Sequence, residues 1–209
     1  MTALEKKKPG DDAAAHPLDS CLGSSCQVCD AHGRIKCHFR VVDLVHFWSL
    51  FLPVALVAGA GALTAGWVWL LVWLLIGVGF FGFLEIRVLC AHCPRYDDDG
   101  PYLRCWANWG MPKLWRRRPG PMTWWEKAAF LGGLAVVFGL PLVFLIGWGQ
   151  WFRLVLYAAC TAAFGLTVGI DFCPRCVNFA CPLNRVDAET REVFNEKNPE
   201  IGRHWADSG

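Results

Sequence analysis

Residues 44–84 read LVHFWSLFLPVALVAGAGALTAGWVWLLVWLLIGVGFFGFL, without a single Asp, Glu, Lys or Arg. A helix of roughly 20 residues crosses the hydrocarbon core at about 1.5 Å per residue. The stretch is therefore long enough for two crossings, with reversal expected in the glycine-containing segment 59–66 (GAGALTAG). Residues 128–152 are likewise uncharged, and 154–170 follow after the lone charge of Arg153. They supply two more crossings, turning at Gly147-Trp148-Gly149-Gln150. The chain is 55% hydrophobic and 14% aromatic, more than a soluble domain places in long charge-free runs. The fold class expected is an all-α membrane protein, its four transmembrane helices forming two hairpins with cysteine-rich irregular cytoplasmic segments.

Charge gives the orientation. Of the 20 Lys and Arg residues, only Arg153 falls at the turn between the third and fourth crossings; the others lie before, between or after the two hairpins. Positively charged loops remain in the cytoplasm, so both termini and the long central loop are expected there, in the inner (cytoplasmic) membrane of the cell. Trp67, Trp69, Trp148 and Trp151 flank the two outer turns and fit an aromatic belt. Lys6–Lys8 are followed by polar residues where a secretory signal would have its apolar core, so the first crossing is read as a retained span.

The expected organisation is a disordered polar tail (1–20), a cysteine-rich cytoplasmic segment (21–40), hairpin one (41–88), a cysteine- and tryptophan-containing loop (89–123), hairpin two (124–172), and a cysteine motif with a charged tail (173–209). In the loop, Trp106, Trp109, Trp115, Trp124 and Trp125 alternate with Lys113 and Arg116–Arg118, a mixture suited to lipid headgroups. Asp187 is placed to cap a short helix in the tail.

Ten of the 11 cysteines sit on the side with the positive charge. They recur as Cys-x-x-Cys pairs, Cys26/Cys29, Cys90/Cys93 and Cys173/Cys176, each followed by a further cysteine, Cys37, Cys105 and Cys181. Thiol pairs in a reducing compartment point to metal or Fe–S ligation rather than to disulfides. Cys21, Cys26, Cys29 and Cys37 form a local set of four, the number a tetrahedral zinc or a common Fe–S cluster takes. The triads Cys90/Cys93/Cys105 and Cys173/Cys176/Cys181 each lack one ligand. A His, Asp or solvent molecule completes each, or the triads combine, or an iron stays open. His32 and His38 are candidate donors, whereas His92 lies inside its knuckle and should point away. Arg34, Lys36, Arg95 and Arg175 can offset thiolate charge, although positive-inside topology already accounts for them. Cys160, within the fourth span, reads as a packing residue.

Each half also repeats a pattern: hairpin, acidic residue (Glu85 or Asp171), Cys-x-x-Cys, third cysteine. The whole loosely resembles membrane ferredoxin-type proteins of anaerobic respiration, which carry two cysteine motifs at the cytoplasmic ends of four helices. Their motifs are usually CxxxCP, where this chain has CxxCP at 90–94 and CPxCxxxxCP at 173–182, so no family is assigned.

Ionisable groups are nearly absent from the spans, which disfavours transport; the scarcity of span histidines disfavours an intramembrane haem. A quinone-linked thiol oxidase would need cysteines on the oxidising side, where none falls. His46, Glu85 and Asp171 at the inner span ends are candidates for holding a quinone headgroup. The functional expectation is an Fe–S electron relay between a redox partner protein and the quinone pool, with no nucleic-acid partner. The alternative is a zinc-stabilised membrane scaffold that docks a cytoplasmic or membrane partner without turnover.

Overall fold

The computed structural model describes residues 29–98 and 100–206. The 1–20 tail and the candidate ligands Cys21 and Cys26 lie outside them. The described residues are helical, with only isolated bridges pairing His32 with Ile35 and Tyr102 with Pro112.

Four helices are long and apolar enough to cross a membrane. The first is α1 (Val41–Ala65); the second begins as α2 (Trp67–Gly79) and continues to His92. After a long excursion come α3 (Trp124–Gly147) and α4 (Trp151–Thr167), the latter continuing to Arg175. Spans of 24 to 26 residues reach roughly 36–39 Å, enough for the hydrocarbon core with some tilt.

Reversals fall where the glycines are. A single residue, Gly66, separates α1 from α2; its φ of 138° is a region that L side chains rarely adopt. Its N–H returns to the Ala62 and Leu63 carbonyls, closing the end of α1. The second reversal occupies Trp148–Gly149–Gln150, with Gly149 at φ 62° and the Gln150 N–H bonded to the Leu145 carbonyl. Gln150 then donates from Nε2 to the Gly61 carbonyl (3.0 Å), and the Trp69 and Trp148 rings meet edge-on at 5.6 Å. These contacts tie the two reversals together.

Packing is unequal. α1 lies against α2, α3 and α4, and α3 lies against α1, α2 and α4. Val54, Ala58, Ala62, Phe144, Leu145 and Tyr157 fill the half of the bundle near the reversals. Phe80, Phe130, Val137, Leu89 and Met122 fill the half toward the cysteines. The third span is 28% buried against 6% for the second and fourth, so α1 and α3 form the centre and the other two flank it. The remaining apolar surface faces outward: Leu75 is 70% exposed and Phe152 82%. Patches of that extent are costly in water and need a lipid solvent.

Beyond the bundle, Asp187 caps α5 (Ala188–Lys197) by accepting the Thr190 N–H at 2.8 Å, as the sequence expected. A further helix, α6 (Pro199–Ala206), packs on α5 and delivers Ile201 into a core with Phe194, Phe179 and Val177. This second helix is not legible in the tail's sequence: it is only eight residues long, and its apolar contact is set by tertiary packing.

Among the described glycines the least room is at Gly133, where a Cβ would run into the ring of Phe80; neighbouring Gly132 faces open space. Gly133→Ala should therefore cost about 1–3 kcal/mol through overpacking, and Gly132→Ala nothing or a slight gain. Thermal unfolding of the two variants in detergent should separate them, the first with a lower midpoint.

Candidate functional site

Both flanking spans end in the same unusual way. α2 runs into a π turn (Phe80–Leu84) in which the Glu85 N–H reaches back to the Phe80 carbonyl. α4 runs into a second (Val168–Phe172), with the Cys173 N–H on the Val168 carbonyl. Each leads to a 3-10 turn beginning at a cysteine, Cys90–His92 and Cys173–Arg175. The closing cysteine is extended in both: Cys93 at φ −74°, ψ 138° and Cys176 at φ −83°, ψ 128°. Two chain segments far apart in sequence thus present their sulfurs from equivalent backbone turns.

The turns that follow aim backbone N–H groups at sulfur. Cys93 receives one from Arg95, Cys105 from Ala107 and Asn108, Cys176 from Asn178, and Cys181 from Leu183 and Asn184. Such donors favour the thiolate over the thiol. Burial opposes them. It pushes Cys93 up to about 12, with the neighbouring Cys105 charge adding to the shift. It pushes Cys176 well above the usual thiol range, helped by the charges of Cys93 and Cys105, and Cys181 up to about 11, helped by Cys173. The two triads therefore lie within electrostatic reach of each other. As the side chains stand, no group of three His, Cys, Asp or Glu among the described residues is placed to hold a metal ion.

Three stitches hold this end together. Arg95, 4% exposed, donates to the carbonyls of Lys36 (3.1 Å), Cys37 (2.6 Å) and Arg104 (3.2 Å). It joins the N-terminal segment, the first knuckle and the Cys105 loop. Asn178 donates to the Leu89 carbonyl at 3.2 Å, tying the second-half loop to the approach of the first knuckle. The Lys36 N–H bonds to the Arg175 carbonyl at 2.7 Å. Cys37 packs against the apolar cluster that contains Cys93, and Cys29 is half-buried.

The other candidates divide into separate neighbourhoods. His92 faces Gly120 (Nδ1 to the carbonyl, 3.1 Å) and the Glu126 carboxylate (3.4 Å), so it braces the start of α3. His46 and Asp171 come together at 4.0 Å, beside Lys36, which bridges Asp171 (3.3 Å) and Asp43 (2.8 Å). Glu85 takes a different partner: its Oε1 accepts from Asn108 Nδ2 at 3.1 Å, and the same amide lies 3.3 Å from Cys90 Sγ. His32 is exposed, and Arg34 and Arg175 pair with Glu189 and Asp171 rather than with sulfur. Aromatic rings connect the sulfur end to the bundle: Trp106 lies 4.6 Å from Phe172 and 5.2 Å from Phe47, which lies 5.4 Å from Phe164.

Sequence reasoning missed Asn108, Asn178 and the stapling role of Arg95. Each follows a cysteine by two or three residues, the only local signal they carry.

No family model matches this chain, and no curated protein or solved structure is similar to it.

Replacing Arg95 by Leu removes its hydrogen bonds to three carbonyls, a loss of roughly 3 kcal/mol. The expected result is faster alkylation of Cys93 and Cys176 by a small maleimide, with the bundle's helical circular dichroism retained in detergent.

Proposed function

We propose that this chain is a multi-pass inner-membrane protein whose cytoplasmic end binds an Fe–S centre and relays electrons between a redox partner and the quinone pool. The observation that carries the reading is the electrostatic proximity of thiols from both halves of the chain, with backbone N–H groups directed at the sulfurs of Cys93, Cys105, Cys176 and Cys181. Neutral thiols make poor use of such donors, and several buried thiolates repel one another. A bound cation resolves both problems, because coordination deprotonates the thiol outright. Closure onto an ion would require the sulfurs to move from their present positions. Cys90, Cys93, Cys105, Cys173, Cys176 and Cys181 are the proposed ligand pool; Cys29 and Cys37, with Cys21 and Cys26, form the proposed second set.

Iron–sulfur chemistry is favoured by the aromatic contacts leading from Trp106 and Phe172 toward His46 and Asp171. At that span end a quinone headgroup would meet a ring nitrogen and a carboxylate. His46 and Asp171 would be the residues that hold such a headgroup and exchange protons with it. The positive-inside distribution supports a cytoplasmic location for both termini and for the two hairpins' cysteine-bearing ends. The partner would be a soluble or membrane redox protein docking there; no nucleic-acid role is proposed.

A zinc scaffold is the second reading. Cys93 lies within the apolar core formed by Ile35, Val177, Phe179, Val186, Phe194 and Ile201, the setting of an ion that holds a small module together.

Protein purified anaerobically in detergent is expected to be brown, to contain iron and acid-labile sulfide, and to bleach on dithionite addition. Cys93→Ser and Cys176→Ser should each diminish the colour severalfold if the triads share a centre. Colourless protein with stoichiometric zinc would replace the relay by the scaffold; metal-free protein with every thiol open to alkylation would remove both. Orientation has its own check: protease added to inverted vesicles, and not to intact spheroplasts, should trim the C-terminal tail.

A further inference from the structure

Glu85 is a buried carboxylate among the sulfurs, as Asp98 is beside Cys93. It follows directly on the π turn Phe80–Leu84, and the extra residue of a π turn rotates what comes after it by about 100° relative to the preceding helix. Leu84 just before it is outward-facing, whereas Glu85 is 7% exposed and Ile86 fully buried. The carboxylate shares the Asn108 amide with Cys90 Sγ, which fixes the two acceptors on one donor. Its charge is also felt at Cys105 and Cys181, one from each triad.

One of its oxygens has no partner. Oε1 takes the Asn108 hydrogen bond, while Oε2 is buried and accepts nothing. The nearby cations are committed elsewhere: Arg87 and Arg118 to Glu126, and Arg95 to main-chain carbonyls and Asp98. Lys36 is held between Asp43 and Asp171. A buried carboxylate oxygen without a donor is expensive, and no side chain of the described residues relieves it.

We infer that Glu85 is an oxygen ligand of the metal centre, its free Oε2 supplying a donor next to Cys90 while Asn108 holds Oε1 and orients the group. This rests on the proposed metal–thiolate reading and gives it mixed sulfur–oxygen coordination in place of a purely cysteine one. Asn108 is then a positioning residue that braces a carboxylate and a thiolate with one amide.

The test uses the full-length protein, purified anaerobically, stripped and titrated with Co²⁺, whose thiolate charge-transfer and ligand-field bands report donor type. Glu85→Gln is expected to weaken Co²⁺ binding by roughly tenfold or more and to shift the ligand-field bands. Glu85→Cys is expected to keep the ion and to raise the charge-transfer absorbance per cobalt, since oxygen is exchanged for sulfur. If Glu85→Gln binds with unchanged affinity and spectrum while Cys93→Ser loses the ion, the carboxylate role is overturned and the thiolate centre stands. If the wild type takes up no Co²⁺, or Cys93→Ser and Cys176→Ser leave uptake unchanged, the centre itself falls and this inference with it. Should the Gln variant fail to accumulate, Glu85→Cys decides alone: higher absorbance per cobalt supports ligation, and an unchanged value overturns it.

Discussion

Thiols from two halves of the chain share one poorly solvated region, and as anions they repel one another. The arrangement of this end of the molecule follows from that cost. Backbone N–H groups from residues two or three further on are turned toward Cys93, Cys105, Cys176 and Cys181, so the local geometry prefers thiolate. Burial and mutual charge prefer thiol, with Cys93 held near 12. A site in which these preferences oppose each other is balanced by positive charge, of which Arg95 supplies a part at Cys93 and Cys105 without outweighing burial. Arg95 spends its guanidinium on main-chain carbonyls and Arg175 on Asp171. The proposed metal centre follows from that imbalance more than from the count of cysteines.

The two halves have similar endings but are not copies. Each flanking span passes through a π turn into a 3-10 cysteine knuckle. In the second half the knuckle follows at once, whereas in the first the residues Glu85 to Leu89 intervene. Glu85 and Asp171 occupy matching places in the sequence pattern, yet that difference separates their surroundings. Asp171 lies inside its π turn, part-exposed, in an ion-pair group with Lys36, His46 and Arg175. Glu85 lies beyond its π turn, where Asn108 and Cys90 receive it. The single quinone-binding group expected from His46, Glu85 and Asp171 thus divides, with His46 and Asp171 meeting and Glu85 joining the sulfurs.

Spans and reversals were legible because they depend on composition read locally. A charge-free run must cross lipid as a helix, and Gly66 and Gly149 mark positions where the backbone needs positive φ. The Asp187 cap was legible for the same reason, since a cap bonds three residues along its own chain. The convergence of Cys176 with Cys93, the reach of Asn178 to Leu89 and the stapling by Arg95 were not. Apart from the bond of Arg95 to Arg104, they join residues separated by 58 to 89 positions, and no pattern of neighbouring residues encodes such a meeting. Asn108 was hidden by its ordinary composition: a single amide after a cysteine reads as turn chemistry until its two acceptors are known.

The spans that carry the knuckles are the least enclosed. α1 and α3 occupy the centre of the bundle, and the second and fourth spans flank them with most of their surface outward. A helix gripped along one side has limited purchase on its own end, so the bundle by itself cannot fix two sulfur turns against each other. That task falls to the polar end: Arg95 across three segments, Asn178 across the two halves, and the Lys36 N–H on Arg175. All three attach within a few residues of a proposed ligand. Any ion drawn in among the sulfurs must therefore tighten the same contacts that position the flanking spans, and loss of those contacts must loosen the ion. Were an ion to bind as proposed, its binding and the docking of the segments outside the spans onto the bundle would be thermodynamically linked.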